Sequence, residues 1–152
     1  MTDVALIWDN TNGRADFALV NGDLAIDDGL RTAAIVSLFT DALADAAASI
    51  PDGTDNRRGW PGDDPLPNAA DTAQRDNTGS TLWLREGARQ TEETRRLIES
   101  DVRTAFAWAI TDGVADVVTA SAAYPRNDVV TVAVTLQQGA VKNRFDYTWN
   151  AT

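Results

Sequence analysis

The sequence predicts an α+β fold in which strands lie at both ends of the chain and two helices lie between them. Three observations predict it: turn dipeptides interrupt a strand-like N-terminal segment, two internal segments have helical periodicity, and the C-terminal part alternates with period two. At 152 residues the chain is long enough for one compact domain, and no internal repeat indicates a second. We therefore expect a single domain over residues 1–152.

The N-terminal segment "VALIWDNTNGRADFALVNGDLAI" predicts a β-hairpin or a small meander. Its strand-like runs are separated by Asn12-Gly13 and Asn21-Gly22. These dipeptides accept the positive φ that tight hairpin turns require.

The first helix is predicted from Leu30 to about Ala47, where apolar residues recur at three- and four-residue spacing. Asp27 and Asp28 precede it and can supply a capping oxygen. Pro51 lies just beyond its predicted end.

A long irregular loop is predicted over residues 51–80, which hold four of the five prolines and many Gly, Asp and Asn residues. Loops of this length inside a compact domain are uncommon, and are usually functional, anchored by their own side chains, or disordered. Trp60 and the apolar run "LWL" at 82–84 favour an anchored loop, because a tryptophan left in water loses the free energy of burial. We expect Trp60 to be largely buried.

The second helix is predicted from about Thr91 to Thr111, ending at Asp112-Gly113, where the glycine can adopt the left-handed conformation. Acidic side chains in its first turn stabilise the helix through their interaction with the positive end of its dipole. The apolar stripe consists of Ile98, Val102, Ala105 and Ala109, with Phe106 and Trp108 beside it.

Three antiparallel strands are predicted after this helix, joined by turns at residues 125–128 and 138–139. The last two strands each have one apolar face. These faces consist of Val130, Val132, Val134 and Leu136, and of Val141, Phe145, Tyr147 and Trp149.

The composition excludes several kinds of site. The chain has no cysteine and no histidine, which excludes disulfides, thiolate metal sites and serine–histidine or cysteine–histidine catalysis. A net charge of −10 should repel nucleic acid unless the arginines segregate onto one face. Without an apolar run of about 18 residues or a basic leader, we expect no membrane span and no signal peptide. We predict no cofactor and no metal.

The stretch "NRRGWPGD" at 56–63 supports two interpretations. Arg57 and Arg58 can bind an anion through forked hydrogen bonds, with Gly59 admitting close approach. Alternatively they pair with acidic residues of the chain and stack on Trp60. We favour this structural clasp, because no helix N-terminus follows to complete an anion site. The predicted loop-anchoring residues are Arg57, Arg58, Gly59, Trp60, Asp63 and Trp83.

Carboxylates are the remaining groups for acid–base catalysis, and a glycosidase requires a pair of them with one held in an apolar pocket. Glu86 near Trp83, together with Asp63 or Asp64, is the best candidate pair. Solvated surface carboxylates are more common, so we predict that the chain is not an enzyme. The aspartate clusters lack the spacing of a calcium loop and are interpreted as turns.

The C-terminal strand carries its polar side chains on the face opposite the aromatic residues. A terminal strand with a polar face can accept another chain by strand addition. The predicted partner-binding residues are Arg144, Asp146, Thr148 and Trp149.

Four separated motifs carry a family resemblance: "IVSLFTD" (35–41), "RRGWPGD" (57–63), "GSTLWL" (79–84) and "AFAWAITDGVA" (105–115). Together they resemble the Mu-like phage baseplate wedge family, distantly similar to the small inner-baseplate wedge protein of contractile-tailed phages. The resemblance runs from about Asp23 to Trp149. The helix retains Trp108, Asp112 and Gly113 at the family's spacing, whereas Pro61 replaces a second tryptophan that is common in the family's loop.

The resemblance implies a non-enzymatic virion protein, made in the host cytoplasm and located in the tail baseplate in multiple copies. Its implied partners are larger wedge proteins, the tail sheath protein, and tube or hub proteins, and its implied role includes the initiation of sheath assembly. Two alternatives remain open from the residues alone: a carboxylate-dependent peptidoglycan or glycoside hydrolase, and a soluble acidic adaptor that binds a single partner.

Overall fold

The computed structural model describes residues 3–27, 29–63 and 77–150, and it confirms the α+β class. The N-terminal segment is a meander of short antiparallel strands with turns at both predicted Asn-Gly dipeptides. Asn21 and Gly22 both have positive φ, at 53° and 83°, as a type I′ hairpin turn requires. The strands are β1 Asp3–Val4, β2 Leu6–Asp9, β3 Arg14–Phe17, β4 Leu19–Val20, β5 Asp23–Leu24 and β6 Ile26–Asp27.

Three alanines connect the strand pairs of this meander. Strand β1 pairs with β6, β2 with β3, and β4 with β5. At the point where the three ladders meet, Ala5 N–H donates to Ala25 O, Ala25 N–H to Ala18 O, and Ala18 N–H to Ala5 O, at 2.8–2.9 Å. This closed ring of backbone hydrogen bonds holds the two hairpins at a three-way junction.

The first helix, α1, spans Arg31–Phe39 and ends earlier than the sequence predicts. Thr40 is extended, with φ −90° and ψ 136°. The backbone there pairs with Ser80, which donates to Thr40 O and accepts from Ala42 N–H. The predicted extension to Ala47 is therefore wrong, because long-range pairing replaces the local helical hydrogen bonds.

The predicted cap of α1 is partly correct. Asp27 does not occupy the cap position, which is Leu30, but its carboxylate accepts from the backbone N–H of Thr32 and Gly29. These bonds hold the pKa of Asp27 below its usual value, the largest effect coming from Thr32. Asp28 lies outside the described residues.

The second predicted helix is two helices in the structure, α2 at Glu92–Ala105 and α3 at Ala107–Thr111. The break occurs at Phe106, which is fully buried and has φ −104° and ψ 12°. Neither glycine nor proline causes the break. Thr91 caps α2 by accepting from Thr94 N–H at 3.1 Å. Two short 3₁₀ helices follow α1 in the chain: Pro61–Asp63 lies in the predicted loop, and Leu82–Arg85 lies just after it.

The three predicted C-terminal strands form a sheet in the order β7–β8–β9, but β7 continues through Pro125 and Arg126, which the sequence assigns to a turn. They are β7 Val117–Arg126, β8 Val129–Gln138 and β9 Val141–Asn150, paired antiparallel throughout. The central strand is buried along the predicted apolar face, Val130, Val132, Val134 and Leu136. On β9, Tyr147 is buried but Val141 is 62% exposed, so the apolar face extends over only part of that strand.

The core lies between the sheet and the helices. Ile98 and Val102 of α2 and Val134 of β8 are at most 1% exposed, and they belong to one cluster with Ile35 and Leu38 of α1. The predicted helical stripe is buried throughout. Over the described part of the chain, no helix is long and apolar enough to cross a membrane.

Candidate functional site

The predicted loop clasp closes around Trp83 rather than Trp60. Trp83 is 3% exposed, and its indole N–H donates to Ala42 O at 2.9 Å. The guanidinium of Arg58 lies over its ring, 4.5 Å from the centroid. Trp60 is 49% exposed and lies against Gly62, where an added Cβ would be 1.7 Å from the ring. The expectation that Trp60 is largely buried is wrong, as is its predicted stacking with the arginines.

The two arginines have different partners. Arg57 donates through Nε to Ala44 O at 2.8 Å. Arg58 bridges two carboxylates, with NH1 2.8 Å from Asp41 and NH2 3.2 Å from Glu86. Hydrogen bonding to Glu86, and then to Asp41, raises the pKa of Arg58. Arg58 thus pairs with acidic residues of the chain, as the clasp hypothesis expects of both arginines, whereas Arg57 binds a backbone carbonyl.

The catalytic hypothesis for Glu86 is disfavoured by this geometry. Its carboxylate forms an ion pair with Arg58, whereas the acid of a glycosidase lies in an apolar pocket. Asp63 accepts from both the N–H and the hydroxyl of Thr78, at 2.8 and 2.7 Å, and so ties two parts of the loop region together. Asp64 lies outside the described residues. Among the described residues, no group of three or more carboxylates could hold a metal ion.

Gly59 and Gly79 allow the loop to approach the segment that follows α1. Gly59 has φ 105°, and an added Cβ would be 3.2 Å from Leu43. Gly79 has φ 102°, and its Cβ would be 2.1 Å from Thr40 O. A side chain at Gly79 would therefore collide with the backbone carbonyl at the end of α1.

The helix residues of the family resemblance, Trp108, Asp112 and Gly113, make contacts at α3 and its end. Trp108 Nε1 donates to Ser37 Oγ at 2.9 Å and so joins α3 to α1. Asp112 N–H donates to Trp108 O at 2.8 Å, and Gly113 has φ 69°, the left-handed value that ends the helix. These contacts position the core elements. Trp108 and Asp112 line a groove of about 680 Å³ with Thr78.

The outer edge of β9 is partly occupied. Trp8 Nε1 donates to Thr148 O at 3.0 Å, and Thr148 N–H donates to Asn10 Oδ1 at 2.8 Å. Both backbone groups of Thr148 are therefore taken by the N-terminal meander. The expectation that Thr148 belongs to an open edge is wrong, because a long-range contact invisible in the local pattern covers it.

The remaining predicted partner-binding residues have different surroundings. Arg144 and Asp146 are exposed and form an ion pair at 2.8 Å, which holds the pKa of Asp146 below its usual value. Trp149 is partly buried against the core cluster. It lines an open groove of about 350 Å³ together with Trp8 and Arg58, so the clasp and the end of β9 meet at one surface.

Sequence reasoning missed Asp41, Trp8 and Asn10 as residues that complete these contacts. Asp41 ends the motif "IVSLFTD", and a partly buried arginine such as Arg58 pairs readily with a carboxylate, so a signal for it existed. Trp8 stacks on Phe39, with ring centroids 3.4 Å apart. Nothing in the local sequence indicates that Trp8 or Asn10 bonds to Thr148.

Comparison with known proteins gives consistent results. Residues 30–141 match a family model described as phage protein GP46. Over 114 residues the chain is 40% identical to the baseplate protein gp46 of Escherichia phage Mu, covering 74% of this chain and 71% of that protein. Over 153 residues it is 33% identical to the Mu-like prophage FluMu protein gp46 of Haemophilus influenzae, covering 99% of each.

Proposed function

The chain belongs to the GP46 family of phage proteins, and on that premise we propose that it is a structural, non-enzymatic component of a contractile-tail baseplate. The 40% identical relative from phage Mu is named as a baseplate protein, which supports the proposal. In this role the chain is made in the host cytoplasm and enters the virion, or a phage-like particle, in multiple copies. It contacts larger wedge proteins and tube or hub proteins, and helps sheath assembly to begin.

The open part of the β9 edge is the observation that supports a role in starting sheath assembly. In an antiparallel pair, successive residues direct their backbone groups alternately toward and away from the partner strand. Since Thr148 directs its groups away from β8, so do Asp146, Arg144 and Lys142. Across the described residues, no hydrogen bond from another element reaches the backbone groups of these three. They offer a short edge on which an incoming strand can pair.

The opposite edge of the sheet supports the same choice of strand. On β7, Ala122 N–H donates to Glu99 Oε1 at 3.0 Å, and Gln90 Nε2 donates to Arg126 O at 3.2 Å. Helix α2 and the segment before it therefore cover β7. An incoming strand would have to displace these contacts, whereas Lys142 to Asp146 need only give up water.

Replacing Asp146 with proline tests the sheath role. The N–H of Asp146 points away from β8, so proline there removes an outward donor and spares the ladder with Ala133. The matched control is Asp146→Ala, which removes the carboxylate and the ion pair with Arg144 but keeps the N–H. Thermal melting of both purified variants comes first, and we expect both to fold.

With a folded Asp146→Pro protein, we expect baseplates that form or nearly form but carry no extended sheath, while Asp146→Ala supports normal tails. Electron microscopy of the particles gives the result directly. Normal sheath-bearing tails built with Asp146→Pro would show that sheath initiation does not use this strand.

A further inference from the structure

The N-terminal meander contains three tripeptides with one pattern, an alanine between two large apolar residues. They are "VAL" at 4–6, "FAL" at 17–19 and "LAI" at 24–26. The central residues are Ala5, Ala18 and Ala25, the same three that form the ring of backbone hydrogen bonds. Each flanking residue therefore lies directly beside the three-way junction.

The flanking residues share one face of the meander. Strand register pairs Leu6 with Phe17, Leu19 with Leu24, and Val4 with Ile26. Residues directly opposite each other in a ladder project to the same side, and so do residues i and i+2 of an extended chain. The pairs and the tripeptides together place all six side chains on one side of the junction.

Most of this side is uncovered. Phe17, Leu19, Leu24 and Ile26 are 59, 67, 49 and 65% exposed, and we call these four residues the junction face. Of the other two flanking residues, Leu6 packs against the core. Single exposed apolar residues are normal on a protein surface, but a contiguous group of large ones marks an interaction site.

The surrounding charge selects the kind of partner. Residues 3–27 contain five aspartates and a single basic residue, Arg14. Two of the aspartates, Asp16 and Asp23, lie beside members of the junction face in sequence and are exposed. A second copy of the chain would bring the same acidic rim and a net charge of −10 against it, which opposes self-association.

We propose that the junction face binds another protein of the particle through a surface that is apolar at its centre and carries Lys or Arg around it. Apolar contact supplies the affinity, and the aspartates of the meander select against acidic surfaces. The inference rests on the proposed baseplate function, since it assigns a binding surface and a partner chemistry to that role. It is separate from the β9 edge, which pairs through backbone groups.

The first test compares two double variants in particle assembly. Leu19→Ser with Ile26→Thr removes apolar area from the junction face. The control, Leu97→Ser with Ile110→Ser, replaces one leucine and one isoleucine elsewhere on the surface, at residues that are 41 and 52% exposed. We expect the number of copies per purified particle to fall about tenfold or more for the first variant, because truncating apolar residues at the centre of an interface weakens binding by at least that factor. The control should remain near the wild-type level.

The second test uses wild-type sequence and does not depend on a variant that folds. Hydroxyl-radical labelling of Phe17 and Leu19 is compared between the isolated protein and assembled particles, and we expect labelling several-fold slower in particles. A third experiment does replace Leu19: a photoreactive side chain at this position should cross-link to a segment of another particle protein with a net positive charge.

Equal labelling in the free and assembled protein, with the chain present in the particles, would overturn this inference and leave the baseplate function intact. So would a cross-link to a second copy of the chain or to an acidic segment. Absence of the chain from purified particles would remove the proposed function and this inference together.

Discussion

The guanidinium of Arg58 lies over the indole ring of Trp83, with its carbon 4.5 Å from the ring centroid. The same guanidinium pairs with Asp41 and Glu86. One side chain thus connects the loop to the segment after α1 and to the end of the 3₁₀ helix Leu82–Arg85. Cation–π contacts contribute roughly 0.5–2 kcal/mol, depending on burial. The surface pairs add little by themselves, since they are partly exposed. The buried indole is therefore the main stabilising element of the loop.

Trp83→Ala should lower the free energy of unfolding by about 3–5 kcal/mol, because it leaves a cavity and loses the hydrogen bond to Ala42. Trp60→Ala is the matched control and should cost less than about 1 kcal/mol, since that ring is half exposed. Urea unfolding measures both, and protease digestion should cut the loop faster only in the Trp83 variant. Equal decreases in the free energy of unfolding for the two variants would show that the clasp does not depend on Trp83.

Gly79→Ala should destabilise the protein by about 3 kcal/mol or more, because a methyl group would lie 2.1 Å from Thr40 O on a backbone with φ 102°. Gly87→Ala is the control: its φ is 67°, and none of the described residues lies within 4 Å of an added Cβ. That change should cost about 1 kcal/mol from backbone strain alone. A comparison of melting temperatures separates the collision from the strain, and similar shifts would contradict the close packing of Gly79.

Tyr147 should make stability fall at alkaline pH. Burial raises the pKa of its phenol from 10.0 to about 12, so between these values the folded state keeps a proton that the unfolded state loses. Because the unfolded state binds fewer protons in that range, the free energy of unfolding decreases as the pH rises from 10 to 12. Below pH 10 the phenol is protonated in both states and does not change the free energy of unfolding. Tyr147→Phe should show a shallower decline between pH 10 and 12 in denaturant titrations. Parallel curves for the two proteins would contradict the burial effect.

The parts of the fold that the sequence predicts well depend on local patterns. Period two in residues 129–150 predicts both strands and the buried face of β8, because side-chain alternation and register have the same period. The Asn-Gly dipeptides predict the hairpin turns, since the required positive φ is a property of those residues. The stripe of α2 follows in the same way from helical periodicity.

The parts that the sequence predicts poorly depend on contacts between distant residues. The alanine-rich stretch after Phe39 has good helix propensity, but Thr40 and Ala42 pair with the backbone of Ser80, and Ala44 N–H donates to Arg57 O. Trp60 and Trp83 are both candidates for burial by composition, and only the three-dimensional contact with Ala42 distinguishes them. Likewise, the bonds from Trp8 and Asn10 shorten the open edge of β9 without any local signal.

The most direct test of the baseplate function is to determine by electron cryomicroscopy where the chain lies in intact particles. We expect repeated copies arranged around the tube at the base of the tail, with a strand of another chain paired along Lys142 to Asp146. A soluble complex of fixed stoichiometry with one partner, and no copies in the particle, would contradict the baseplate function. Copies in the baseplate with a bare β9 edge would contradict the proposed mode of sheath initiation.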